Sequence, residues 1–117
     1  MNFKVAITTS DGKLINQHFG RCSEFSIVEV DPDTGQWKFI EKRETEQTCN
    51  DFSHSEEQIR EVAKMLSDCL YLLTYRIGTY PCFVLKSYGV TCLEASELIT
   101  NSLERLYKYH KINHKAV

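Results

Sequence analysis

Neutral imidazole and thiolate are the side-chain groups best suited to ligating transition metals, and this sequence places several of them in stretches of turn-forming composition. His18 stands in Asn16-Gln17-His18-Phe19-Gly20, with Arg21 and Cys22 directly after it, and Cys49 and His54 bracket Asn50 and Asp51. The five cysteines (Cys22, Cys49, Cys69, Cys82 and Cys92) cannot all pair with one another, and no two are spaced C-x-x-C. Neither a secreted disulfide framework nor a zinc ribbon fits that arrangement, so free thiols in a reducing compartment are expected. Two-metal hydrolysis would need clustered carboxylates, and the run Phe3 to Thr9 contains none. Asp11 and Asp51 are read as turn or cap residues.

The elements that must hold these residues follow from periodicity. Phe3, Val5 and Ile7 alternate along strand 1, which breaks at Ser10-Asp11-Gly12. Glu24 to Asp31 and Trp37 to Arg43 form strands 2 and 3, a hairpin turned at Pro32-Asp33-Thr34-Gly35. Ser55-Glu56-Glu57-Gln58 is a capping-box pattern opening a first helix over Glu56 to Ser67, with Ile59, Val62, Ala63 and Leu66 on one face. Leu70 to Tyr75 is apolar almost throughout, as a strand covered on both faces is, and becomes strand 4. A short second helix follows, with Thr79 as cap, Pro81 in its first turn and Gly89 as its stop. Val90 to Glu94 is strand 5. Leu98, Ile99, Leu103 and Leu106 line a last helix starting near Ser96.

Hairpin connections make strands 1, 2 and 3 antiparallel neighbours, and helical crossovers make strands 4 and 5 parallel to strand 1. The expected fold is α/β: a mixed five-stranded sheet of order 3-2-1-4-5 with helices on both faces, the outline of a ribonuclease H-like three-layer fold. The 117 residues form one domain over 1–117. The carboxyl ends of strands 1, 3, 4 and 5 then share one edge, where open α/β sheets bind ligands. His18, Cys22, Cys49, His54, Arg76 and Cys82 fall in or beside the loops of that edge. Cys69 and Cys92 do not and are read as structural thiols. The loop from Ser10 to Ser23, roughly fourteen residues between hairpin-paired strands, far exceeds the usual two to five.

The composition excludes several classes of partner. Apolar residues make up 42% and charged residues 26% of a chain with formal charge −2, which fits a folded domain and offers no basic footprint for nucleic acid. No apolar stretch approaches membrane-spanning length and no signal peptide is evident, so a cytoplasmic location is expected.

Strand 1 followed by Thr9-Ser10-Asp11-Gly12, then Asn16-Gln17-His18-Phe19-Gly20-Arg21, then Glu24-Phe25-Ser26-Ile27-Val28-Glu29-Val30, resembles the dinitrogenase iron-molybdenum cofactor biosynthesis family. That group includes NifX, NafY and the C-terminal domain of NifB. Leu66 to Cys69, Arg76-Ile77-Gly78 and Tyr88-Gly89-Val90 are similar to its second half. The resemblance implies a non-enzymatic domain that binds the iron-molybdenum cofactor or an iron-sulfur precursor as transient cargo, alongside nitrogenase-assembly proteins. It places the family's cofactor-binding histidine at His18.

An iron-sulfur cluster is saturated internally by sulfide, so a carrier needs one or two exchangeable ligands and some positive charge. His18 fits as metal ligand, with Cys22 and Cys49 as candidates for a second and Cys82 as a weaker one. Phe19 is expected to shield the site and Gly20 to allow close backbone approach or a positive φ. Arg21 and Arg76, with the start of the second helix, would supply positive charge. An ordinary loop histidine, and a protein-interaction or regulatory module without metal on the same fold, remain the alternatives.

Overall fold

The computed structural model describes residues 1–45, 49–50, 53–54 and 56–113, the backbone alone at 49–50 and 53–54. The elements are β1 (Phe3–Ile7), a 3-10 turn (Phe19–Arg21), β2 (Glu24–Val30), β3 (Trp37–Glu44), β4 (Cys49–Asn50), β5 (Ser53–His54), α1 (Glu56–Met65), β6 (Cys69–Thr74), α2 (Thr79–Ser87), β7 (Thr91–Glu94) and α3 (Ile99–Asn113). Five strands form one sheet in the order β3-β2-β1-β6-β7. Neighbours are antiparallel from β3 to β1 and parallel from β1 to β7. With β6 and β7 as the fourth and fifth sheet strands, this is the order expected from the connections. A second, two-stranded ribbon pairs β4 with β5 inside a stretch read from sequence as loop.

The middle of the sheet is buried on both sides, which explains its nearly unbroken apolar composition. α1 and α2 cover one face, where Ala6, Phe25, Ile27 and Leu72 meet Ile59, Val62, Leu66 and Leu85. α3 covers the other, setting Ile99, Leu103 and Leu106 against Val5, Ile7, Val28, Tyr71 and Leu73. Val5, Ala6, Ile7 and Leu72 are fully buried. Truncating a side chain of that kind costs about 2–5 kcal/mol in a packed core.

Element boundaries differ from the sequence reading where tertiary hydrogen bonds intervene. The cap of α2 is Gly78, with no side-chain cap bond, and Thr79 is already helical. α3 begins at Ile99 instead of near Ser96, because the residues before it pair with the loop after β1: Ile15 N donates to Glu97 O (3.1 Å) and Ile99 N to Lys13 O (2.8 Å). Ser55, expected to cap α1, lies outside the described residues. The stop at Gly89 is as expected. Its φ of 87° suits glycine, and Val90 N and Gly89 N donate back to Leu85 O and Lys86 O, each at 3.0 Å.

The exposed edge strand β3 is tied to the body of the fold by Arg43. Its guanidinium donates to both Asp68 carboxylate oxygens at 2.7 and 2.8 Å, to Met65 O at 2.8 Å and to Glu41 at 2.8 Å. The Arg43 hydrogen bonds hold the Asp68 carboxyl well below the usual carboxylate range, with Lys4 adding to the effect against the opposing pull of burial. A depressed carboxyl stabilises the fold fully above its unfolded value of about 4 and loses that contribution as pH falls toward its folded value. The Asp68 side chain is 46% exposed, so solvent screening keeps the worth of the pair small. Asp68→Asn should therefore lower stability by about 1 kcal/mol at neutral pH. Urea unfolding should show the gap from wild type narrowing as pH is taken down through about 4; a gap that widens in acid would contradict this role.

Candidate functional site

The long loop after β1 is stitched down by its own polar side chains. Asp11 Oδ1 accepts from Lys13 N (2.8 Å) and Leu14 N (3.0 Å), bonds that hold its carboxyl below the ordinary value, Leu14 first. Thr9 Oγ1 accepts from Gly12 N at 3.0 Å, and Gly12 takes a φ of 76° that a side chain would strain. Asn16 Oδ1 accepts from Ser10 N (3.0 Å) while its amide donates to Ser10 Oγ (2.9 Å). Ile15 then turns inward and is buried on the α3 side.

From Gln17 the chain lies against the segment leaving β6. Tyr75 N donates to Gln17 O (3.2 Å) and Phe19 N to Arg76 O (2.9 Å), a short parallel bridge that sets His18 opposite Arg76. Beneath it, the fully buried hydroxyls of Thr8 and Thr74 lie 2.9 Å apart and both reach Gln17 O, at 2.8 and 3.1 Å. Each hydroxyl has one proton to give, so either both donate to that carbonyl, or one donates to it while the other donates to its fellow threonine. Phe19 is buried at 1% exposure, 5.9 Å from the Phe25 ring, and the 3-10 turn closes through Arg21 N to His18 O and Cys22 N to Phe19 O, both at 3.2 Å.

Burial thus alternates along the loop: Ile15, Phe19 and Cys22 point inward, and His18 is left exposed. Its imidazole meets the Tyr75 ring edge-to-face at 5.3 Å and 76°. Arg76 lies over the same tyrosine, its guanidinium carbon 4.7 Å from the ring centroid and one N–H donating to Tyr75 O at 2.9 Å. One tyrosine therefore orients both an imidazole and a guanidinium on an open surface. Such a pair can offer one coordinate bond and compensating charge to a bulky anion, but it encloses nothing.

The structure changes the part played by several expected residues. Phe19, expected to shield the site, has its ring in the core, where it anchors the loop. Gly20 sits in the 3-10 turn and is not among the positive-φ glycines Gly12, Gly35 and Gly89. Cys22 is buried at 3% exposure, with its thiol donating to Glu24 O at 2.8 Å and pushed up by burial, so its side chain is part of the core. Arg21 is exposed at the end of the turn. The backbone of Cys49 in β4 runs beside Phe19–Arg21, while the Cys49 and His54 side chains and all of Asp51 lie outside the described residues. Among the described residues, no three His, Cys, Asp or Glu side chains are grouped to hold a metal ion.

Tyr75 is the site residue that sequence reasoning missed. As the last position of an apolar run it read as core, and only the bridge to Gln17 turns it toward His18. Cys92, taken as structural, is half-buried and lines a cleft of about 420 Å³ with Cys82. Another cleft of about 430 Å³ opens between Leu93, Glu97, Arg105 and Tyr109 on the α3 side. His18 lines neither.

The two threonines are the support of this site. Thr8→Val with Thr74→Val keeps their shape and removes both hydroxyl donors to Gln17 O, leaving the Tyr75 amide. We expect a stability loss of about 1–3 kcal/mol and faster hydrogen exchange at the Tyr75 and Phe19 amides. Unchanged protection of those two amides would show that the loop is held some other way.

Known proteins resemble this chain in fold and in sequence. The chain is 33% identical over 115 residues to the FeMo cofactor biosynthesis protein NifB of Rhodobacter capsulatus, covering 97% of this chain and 25% of that protein. It is 30% identical over 95 residues to the protein NifX of Azotobacter vinelandii, covering 80% of this chain and 57% of that one. It therefore spans only about a quarter of that NifB and somewhat over half of that NifX. The crystal structure of PH0822 superposes with a TM-score of 0.65 at 19% identity, covering 91% of each chain, and shares the fold. The family profile described as dinitrogenase iron-molybdenum cofactor matches residues 1–109, and the chain belongs to that family.

Proposed function

We propose that this chain is a carrier that holds a metal-sulfur cluster, either the iron-molybdenum cofactor or an iron-sulfur precursor of it, through His18 during nitrogenase cofactor assembly. The observation that carries this reading is the outward imidazole of His18, fixed edge-on against Tyr75 with the Arg76 guanidinium over the same ring. The names of the NifB and NifX relatives point the same way. So does the chemistry of the cargo. Sulfide fills most of the coordination of such a cluster, and one imidazole on an exposed iron fixes it without the permanence of a thiolate cage.

Arg76 and Arg21 offset the negative charge of the cluster, and Cys49, whose backbone passes the 3-10 turn, is the remaining candidate for a second ligand. The partners on this reading are the cluster itself and nitrogenase-assembly proteins, in the cytoplasm, and the role is transport or storage, not catalysis. The ribonuclease H-like label belongs to the same proposal. β1, with the sequence Phe-Lys-Val-Ala-Ile, carries none of the carboxylates that nuclease chemistry on such a sheet would need.

Anaerobic mixing with extracted iron-molybdenum cofactor tests the reading. Wild-type protein should retain the cluster through gel filtration with a changed visible spectrum. His18→Ala should weaken retention by about tenfold, and Arg76→Ala by less. Retention unaffected by His18→Ala would remove the ligand assignment, and no uptake by wild type would favour an interaction module without metal.

A further inference from the structure

Cys82 and Cys92, ten positions apart in sequence, meet in the fold. Cys82 lies in the first turn of α2 and Cys92 on the outer strand β7; both are half-buried, and both line the cleft of about 420 Å³ that also includes Ile77, Gly78, Thr79 and Glu94. α2 packs against β7, which brings the two side chains to the wall of one cleft. The buried Cys22 and Cys69 differ, since the Cys22 thiol donates to Glu24 O and the Cys69 thiol approaches Asp68 at 3.7 Å. With no third metal ligand grouped there among the described residues, the pair is suited to sulfur–sulfur chemistry more than to a tetrahedral metal.

We propose that Cys82 and Cys92 are a redox pair that forms a reversible internal disulfide at the expense of a low-molecular-weight disulfide, and that this bond fixes the segment carrying Arg76. Cys82 Sγ, having given up its proton, attacks one sulfur of the reagent. The reagent's sulfur–sulfur bond breaks, and half of it leaves as a thiol carrying that proton. Cys92 then gives up its proton and attacks Cys82 Sγ in the mixed disulfide, which expels the second half as a thiol. The two cysteines lose two protons and two electrons, and the reagent is reduced to two thiols.

Burial, followed by the charge of Cys82, pushes the Cys92 thiol up and makes it the slower nucleophile; Cys82, in the first turn of α2 on the wall of the cleft, is assigned the first attack. Closing the bond brings the sulfurs to about 2.05 Å. The cleft beside them leaves room for the side chains to turn, and exposed Gly78 at the start of α2 lets the first turn adjust. Only Ile77 and Gly78 separate Arg76 from α2, so a bond from Cys82 to β7 anchors the connection on which Arg76 sits. The proposal stands without any cargo, and its test contains none.

The full chain is incubated with oxidised glutathione, alkylated, and read by intact mass and peptide mapping. The expected product carries two alkyl groups fewer than reduced protein treated the same way, contains a Cys82–Cys92 cross-linked peptide, and, when dithiothreitol precedes alkylation, returns to the dithiol. Cys92→Ser should stop at a glutathione adduct on Cys82, and Cys82→Ser should leave Cys92 largely unreacted. Amide exchange at Ile77–Tyr80 should slow several-fold on oxidation. A wild-type chain that stays reduced, carries only adducts, or cross-links through another cysteine overturns the pairing; unchanged exchange at Ile77–Tyr80 overturns the coupling to Arg76.

Discussion

The carbonyl of Gln17 is the point at which the candidate site is fastened to the fold. It accepts from the Tyr75 amide and from the hydroxyls of Thr8 and Thr74, at the ends of the two central parallel strands. Both threonines are fully buried, where an unpaired hydroxyl costs more than a bond returns. Gln17 O gives both a partner where the chain comes back to the sheet. Once it does, Phe19 falls into the core, the amide of Phe19 meets the carbonyl of Arg76, and His18 has nowhere to point but out.

That fastening depends on the sheet being covered twice. β1 and β6 carry apolar side chains on both faces because α1 and α2 pack one side and α3 the other. A register skip between β1 and β6, where Lys4 faces Cys69 and Val5 faces Tyr71, leaves Leu70 extra and packs it with Tyr71 on the α3 side. The loop is gripped from that side as well, through the bridge between Leu14 and Leu98 and the buried Ile15. It is long, yet held at three places, at Asp11, at Glu97 and at Gln17.

The strand order was legible because hairpin and crossover rules leave few alternatives once the apolar runs are recognised, and Pro32 to Gly35 and Gly89 marked their turns in plain residue types. His18 was legible as a loop residue on the ligand edge. Its neighbours were not, because a residue in a loop carries no period from which to read inward from outward. Phe19, Cys22 and Tyr75 all change role once Gln17 is placed, and that placement comes in large part from hydrogen bonds to Thr74 and Tyr75, far away in sequence. The later start of α3 and the meeting of Cys82 with Cys92 have the same origin. Each depends on tertiary contacts that leave no local signature.

An exposed, oriented imidazole is a different device from an enclosed pocket. A pocket gains affinity by burying most of its ligand's surface, and it gives that ligand up slowly. His18 and Arg76 bury almost nothing, so on the carrier reading affinity must come from one coordinate bond and charge, aided by prior orientation. Orientation is what Tyr75 and the 3-10 turn contribute: they fix the two groups before the ligand arrives, so binding pays little for ordering them. An open site also leaves the far side of a bulky cluster free for a second protein. On that same reading, a chain that hands its cargo on needs that free face more than it needs tighter binding, and Arg76, on the short connection to α2, is where a change in the fold would first reach the proposed ligand.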